Sequence, residues 1–126
     1  MKVLQVIEQA FRATGEEQDD TILWLTRSMR GVGADLQVLL SGNAAYYAIQ
    51  KNPAPALQFG DWQQTHPADI GNDIRELLAS GVGISVVADD LKARGLDTQH
   101  CIDGVQEINR NQLASLYDSV DQVWQW

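Results

Sequence analysis

The chain has 126 residues, 44% hydrophobic and 21% charged, and 9 basic against 17 acidic side chains give it a net charge of −8. That length suits one domain, 1–126, burying about two-thirds of its unfolded surface, and the apolar fraction excludes a disordered chain. The negative charge opposes nucleic-acid and anionic-membrane partners, no apolar run reaches the roughly 20 residues of a bilayer span, and a single Cys101 excludes an internal disulfide.

Lys2 to Glu8 reads as the first strand, apolar at Val3, Leu4, Val6 and Ile7. Because charge rather than a small-residue cleavage site follows it, it is not a signal peptide, and a cytoplasmic protein is expected. Thr14-Gly15-Glu16-Glu17 has the form of a capping box, which would place Glu16, Glu17, Asp19 and Asp20 at the positive end of the first helix. The same carboxylates have the residue type for general acid–base work or metal binding, but no histidine lies near them in sequence. Ile22, Leu25, Met29 and Val32 predict one apolar helix face, ending at Gly31-Val32-Gly33.

Asp35 to Leu40 is the second strand, and Ser41-Gly42-Asn43 opens a short helix over 44–50. A glycine at such a corner lets backbone amides approach an anion, although one glycine is no phosphate fingerprint, and a turn with an Asn43 cap accounts for the same residues. Residues 51–67 form the longest irregular stretch, with Pro53, Pro55 and Pro67. Within it Trp62 and His66 have the character of a lid or partner surface; alternatively Phe59 and Trp62 cover a sheet edge and His66 is solvated. A third helix follows over 68–79, with Ile70, Ile74, Leu77 and Leu78 on one face.

Val82 to Ala88 is uncharged and rich in small and β-branched residues, as a strand covered on both faces requires. Asp89 is expected to cap the next short helix and Gly95 to end it. Gln106 to Ile108 is a short extended segment, and Asn109 caps a last helix over 112–117 with Leu113, Leu116 and Val120 inward. Gln122 to Trp126 is a final strand of period two, its tryptophans suited to an edge or a subunit contact. Strands alternating with helices predict a three-layer α/β/α sandwich on a mainly parallel sheet.

Few residues have the chemistry of a catalytic site. His100 and Cys101 are neighbours, but adjacent side chains in an extended segment point apart. Asp97, Asp103 and Glu107 surround Cys101 locally without a Lys or Arg between residues 95 and 109, which raises a thiol pKa and favours a small buried hydrophobe. No spacing of His66, His100 or the cysteine suits a structural zinc site, so neither metal nor cofactor is expected. The Asp89-Asp90 pair is similar to the Mg²⁺ pocket of receiver domains, but the first strand here ends in a single Glu8 and the last strand has no lysine.

Five segments in order carry a resemblance: Lys2-Val3-Leu4-Gln5-Val6-Ile7-Glu8, Ala34-Asp35-Leu36-Gln37-Val38-Leu39-Leu40, Val86-Val87-Ala88-Asp89-Asp90-Leu91-Lys92-Ala93-Arg94-Gly95-Leu96, Ile102-Asp103-Gly104-Val105 and Val123-Trp124-Gln125-Trp126. Together they resemble the DsrE/DsrF family of small cytoplasmic sulfur-trafficking proteins over essentially the whole chain. The resemblance implies one DsrE-like domain, a five-stranded parallel sheet, assembly into homo- or hetero-oligomers such as trimers or hexamers, and a sulfur-pathway protein partner. It also implies a persulfide-carrying cysteine at the end of the strand before the short helix. Counting back eight residues from Gly95 places that position at Val87, which cannot hold sulfur.

Three readings follow. In the first, a small molecule or partner binds near the strand C-termini, at Glu8, Gln9, Gly42, Asn43, His66, Ala88 and Asp89, without covalent sulfur transfer. In the second, Cys101 is a relocated sulfur carrier. In the third, the chain is a purely structural oligomer subunit.

Overall fold

Each apolar run that reads as a strand forms one in a computed structural model of the chain, which describes residues 1–11, 20–50 and 56–126. In chain order the elements are β1 (Lys2–Ile7), α1 (Thr21–Gly31), β2 (Asp35–Leu40), a 3₁₀ helix (Gly42–Ala48), β3 (Gln58–Phe59), β4 (Trp62–Gln63), α2 (Ile70–Ala79), β5 (Gly83–Val87), α3 (Ala88–Ala93), β6 (Gln106–Ile108), α4 (Leu113–Asp118) and β7 (Gln122–Gln125). Five strands make one parallel sheet in the order β6-β5-β2-β1-β7. All their C-terminal ends therefore open on the same edge.

Alternation along the strands divides the core in two. Ile7, Val38, Leu40, Ile84 and Val86 face Leu23 of α1, Tyr47 of the 3₁₀ helix, Ile74 and Leu77 of α2, and Leu91 of α3. On the opposite face Leu4, Val6, Leu39 and Val87 pack under Leu113 and Leu116 of α4 and the following Val120. The result is an α/β/α sandwich with one thick and one thin helical layer.

Helix α1 begins later than its acidic stretch suggests. The Thr14-to-Glu17 box, with Glu16, Glu17 and Asp19, lies outside the described residues. Asp20 is the cap itself rather than a first-turn residue: its buried Oδ1 accepts from the amides of Ile22 and Leu23 at 2.9 and 3.1 Å. The buried stripe of α1 is correspondingly Leu23 and Thr26, with Ile22, Leu25 and Met29 half-buried beside it and Val32 exposed. Thr26 is drawn inward by a polar contact, since Gln5 of β1 donates Nε2 to its Oγ1 at 2.6 Å. Gln5 Oε1 in turn accepts from the Trp126 indole at 2.9 Å, which fastens the chain end across the sheet. Trp124 is half-buried and Trp126 exposed, so β7 shows no clean inner and outer face.

In α2 the cap is Asp69, whose Oδ1 accepts from the Asn72 amide at 3.0 Å, and the helix starts two residues later than expected. The irregular stretch contains a small hairpin, β3–β4, whose two-residue loop is allowed by Gly60 at φ +58°. Phe59 and Trp62 stack on each other at 5.9 Å and stay exposed, so they do not cover the edge of the main sheet. No helix among the described residues is long and apolar enough to cross a membrane.

A buried polar link joins the N-terminal part of the thick layer. The Tyr47 hydroxyl donates to Asp20 Oδ2 at 2.6 Å and accepts from the Phe11 amide at 2.6 Å, which holds Phe11 at φ +59° with its ring edge-on to Tyr47. Burial, and then the hydrogen bond to Asp20, push the Tyr47 phenol well above its ordinary range. Tyr47→Phe leaves a buried carboxylate oxygen and an amide without this partner, and should cost about 1–3 kcal/mol in urea unfolding at neutral pH. Above about pH 10 the unfolded tyrosine ionises while the folded one does not, so the native state holds more protons and its stability falls as pH rises. The gap between wild type and Tyr47→Phe should therefore narrow there, and a constant gap would remove Tyr47 from this account.

Candidate functional site

Where the strands end, the chain leaves the sheet at four corners and encloses a cleft of roughly 580 Å³. Glu8 and Gln9 follow β1, and Ser41, Gly42 and Asn43 follow β2. Val87 with Asp90 and Arg94 come from the β5–α3 corner, and Arg110, Leu113 and Tyr117 from the segment after β6. Val87 and Leu39 are buried beneath the cleft, and half-buried Leu113 with exposed Tyr117 form its apolar wall.

Asp90 organises this cleft, and Asp89 does not. Helix α3 begins at Ala88 directly from the strand, and its cap position is Val87, so no side chain caps it. The expected Asp89 cap is replaced by a contact across the site, in which Asp89 Oδ1 accepts from the Arg110 amide at 2.8 Å. One residue on, the helix turns Asp90 inward. Its Oδ2 accepts from the Gly42 amide at 2.8 Å and its Oδ1 from Arg110 Nη2 at 2.6 Å, with the carboxylate side chain 12% exposed. The anion that the Gly42 corner receives is thus the protein's own. Gly42 stands at φ +54°, and an added Cβ would lie 3.3 Å from the Glu8 carbonyl, so both the turn and its closeness to β1 require glycine.

Arg94 lies one helical turn after Asp90 and donates Nη1 to its carbonyl at 3.1 Å. Its Nε and Nη2 donate to Asn43 Oδ1 at 3.2 and 2.9 Å. Asn43 therefore holds the guanidinium instead of capping the 3₁₀ helix, whose cap position is Ser41, with no side-chain bond. Glu8 Oε1 accepts from Gln125 Nε2 at 2.7 Å.

Of the residues singled out in the sequence, Glu8, Gln9, Gly42 and Asn43 come together here. Ala88 and Asp89 line an adjoining groove of roughly 530 Å³ along α3, with Lys92, Asp97 and Asn109. His66 lines neither; it is exposed, with Nδ1 at 3.0 Å from Thr65 Oγ1. Asp90, Arg94 and Arg110 were missed. Their signal is the second aspartate of the pair, and an arginine four residues on that reads first as part of a helix stop.

Cys101 is a core residue, paired with Ile49 in an antiparallel bridge and packed in the thick layer. Burial first, then the charges of Glu107 and Asp97, push its thiol above the usual range. His100 is exposed beside it. Among the described residues no three His, Cys, Asp or Glu side chains converge as metal ligands.

Neither a protein-family model nor a curated protein matches the chain. Solved structures match it along nearly its whole length. The ychN protein from E. coli superposes with a TM-score of 0.75 at 21% identity, over 99% of this chain and 98% of that one. MTH1491 from Methanobacterium thermoautotrophicum gives 0.66 at 13% identity, over 99% and 98% of the two chains. BT1422 from Bacteroides thetaiotaomicron gives 0.66 at 14%, over 99% and 94%; these last two are described as proteins of unknown function. What they share with this chain is the fold. The chemistry has to be read from the cleft itself.

The two aspartates make opposite predictions. Asp90→Ala strips the Gly42 amide and the Arg110 guanidinium of their acceptor and should cost about 2 kcal/mol in urea unfolding. Asp89→Ala loses one exposed contact to a backbone amide and should cost under about 1 kcal/mol. The reverse order would return the cap to Asp89.

Proposed function

We propose that residues 1–126 are a DsrE/DsrF-like domain that binds a small molecule or a sulfur-pathway protein partner at the C-terminal ends of its strands, without covalent sulfur transfer. The observation that carries this reading is Val87. It stands where the relay proteins of that family are expected to hold sulfur, and here it is a buried hydrocarbon beneath a cleft walled by polar side chains. Polar groups held in place beside the apolar Leu113 and Tyr117 suit reversible recognition, and nothing at Val87 can form or break a bond to sulfur. Glu8, Gln9, Gly42 and Asn43 are the walls assigned to the ligand, with Asp90, Arg94 and Arg110 added to them.

The carrier reading through Cys101 asks for a thiolate at a surface that a donor protein can reach. A buried thiol beside Glu107 and Asp97 disfavours that charge. Cytoplasmic residence and assembly into a homo-oligomer, a trimer or hexamer, belong to the same proposal. Exposed Val123 on the edge strand β7, with Trp126 just after it, supports assembly, since an open sheet edge carrying apolar side chains is a pairing surface.

Incubation with a persulfide donor followed by intact-mass measurement should leave the protein without the mass of an added sulfur atom, under conditions that load a control carrier. An adduct that disappears in Cys101→Ser would overturn the non-covalent reading in favour of the carrier. Light scattering should return a multiple of the single-chain mass at micromolar concentration, and a single-chain mass would remove the oligomer from the proposal.

A further inference from the structure

The charge that the cleft presents to a ligand differs from the charge its residues sum to. Glu8 and Asp90 against Arg94 and Arg110 sum to zero, but Asp90 is committed internally, its side chain 12% exposed and each oxygen occupied. Arg110 is open, with its side chain 61% exposed and one hydrogen bond, to Asp90, from its guanidinium. Arg94 is half-buried and held in place by Asn43 and the Asp90 carbonyl, which fixes the plane of its guanidinium. The remaining acid, Glu8, follows β1 and is bonded to Gln125 of β7, three strand positions away from β6, which Arg110 follows. Of the residues lining this cleft between β2 and β6, two are guanidiniums and the one carboxylate is committed, while exposed Asp89 lines the adjoining groove with one oxygen on the Arg110 amide.

This local excess stands against a chain of net charge −8, so it does not come from the general field of the protein. A guanidinium is a planar fork of donors suited to an oxyanion, and one already fixed by its neighbours loses less freedom on binding. Beside the pair stand half-buried Leu113 and exposed Tyr117 on the cleft wall, surfaces that an inorganic ion would leave unused. We infer that the ligand of this cleft is a small organic anion, its oxyanion head on Arg110 and Arg94 and its hydrocarbon body against Leu113 and Tyr117. The inference rests on the cleft being the binding site and adds the class of molecule it takes.

The test is titration of the full chain with two matched pairs, benzoate against benzyl alcohol and hexanoate against hexanol, followed by calorimetry and by NMR shifts. Each acid should bind at least about tenfold more tightly than its alcohol, and raising the salt should shrink that advantage. Arg110→Gln should abolish the advantage. Arg110→Lys, which keeps a cation beside Asp90 and so protects the fold, should lose part of it for want of the planar fork. Tyr117→Ala removes an exposed part of the wall and should weaken acids and alcohols alike. If acids and alcohols bind equally and Tyr117→Ala weakens both, the cleft remains the site and the anion inference is overturned. An acid advantage that survives Arg110→Gln also overturns it. If no probe binds the wild type, the inference and the cleft reading fall together.

Discussion

The site end of this molecule depends on one carboxylate. Asp90 takes the amide of Gly42 after β2 on one oxygen and the guanidinium of Arg110 after β6 on the other, from its own place just after β5. Three of the five strand ends are thereby tied to a single side chain. Only a group with two acceptor oxygens and a negative charge fits both partners. An amide at that position would turn a donor toward either Gly42 or Arg110. The fold aligns the corners, and Asp90 joins them.

That link also explains how the thin layer is attached. Helix α4 is six residues long and covers the second sheet face through Leu113, Leu116 and the nearby Val120. So short a helix has little stability of its own. It is anchored at its start, where the Arg110 guanidinium reaches Asp90, the Arg110 amide reaches Asp89, and the Asn109 amide reaches Gln112 Oε1 at 2.7 Å. The wall of the cleft (Arg110, Leu113, Tyr117) and the cover of the second core (Leu113, Leu116, Val120) interleave along one segment and share Leu113. A ligand at the proposed site would therefore act on the thin layer through Arg110 and Leu113.

The strands were legible because their signal is strong and local: uncharged β-branched runs that only a sheet covered on both faces accommodates. From those, the parallel order and the edge carrying the cleft follow, and Glu8, Gln9, Gly42 and Asn43 could be placed there. What was not legible turned on a shift of one residue. A strand read to Ala88 makes Asp89 a cap, whereas a helix starting at Ala88 without a cap turns Asp90 inward. The arginines were hidden for another reason. Arg94 and Arg110 are 16 positions apart in the chain and meet only because both corners close on Asp90. The placement of His66 failed because the β3–β4 hairpin, too short to show a period, governs where its stretch of chain goes.

Val87 and Cys101 are best understood together. A thiol is reactive when its thiolate is stabilised by positive surroundings, and the guanidiniums of Arg94 and Arg110 line the cleft above Val87, where there is no thiol. The one thiol lies instead in the core, bridged to Ile49, where burial and the charges of Glu107 and Asp97 disfavour its thiolate. The two requirements of sulfur chemistry, a nucleophile and an environment that ionises it, are thus separated in space. A ligand that brings its own negative charge to Arg94 and Arg110 would need neither of these, which is why the proposed role of the cleft is recognition rather than covalent transfer.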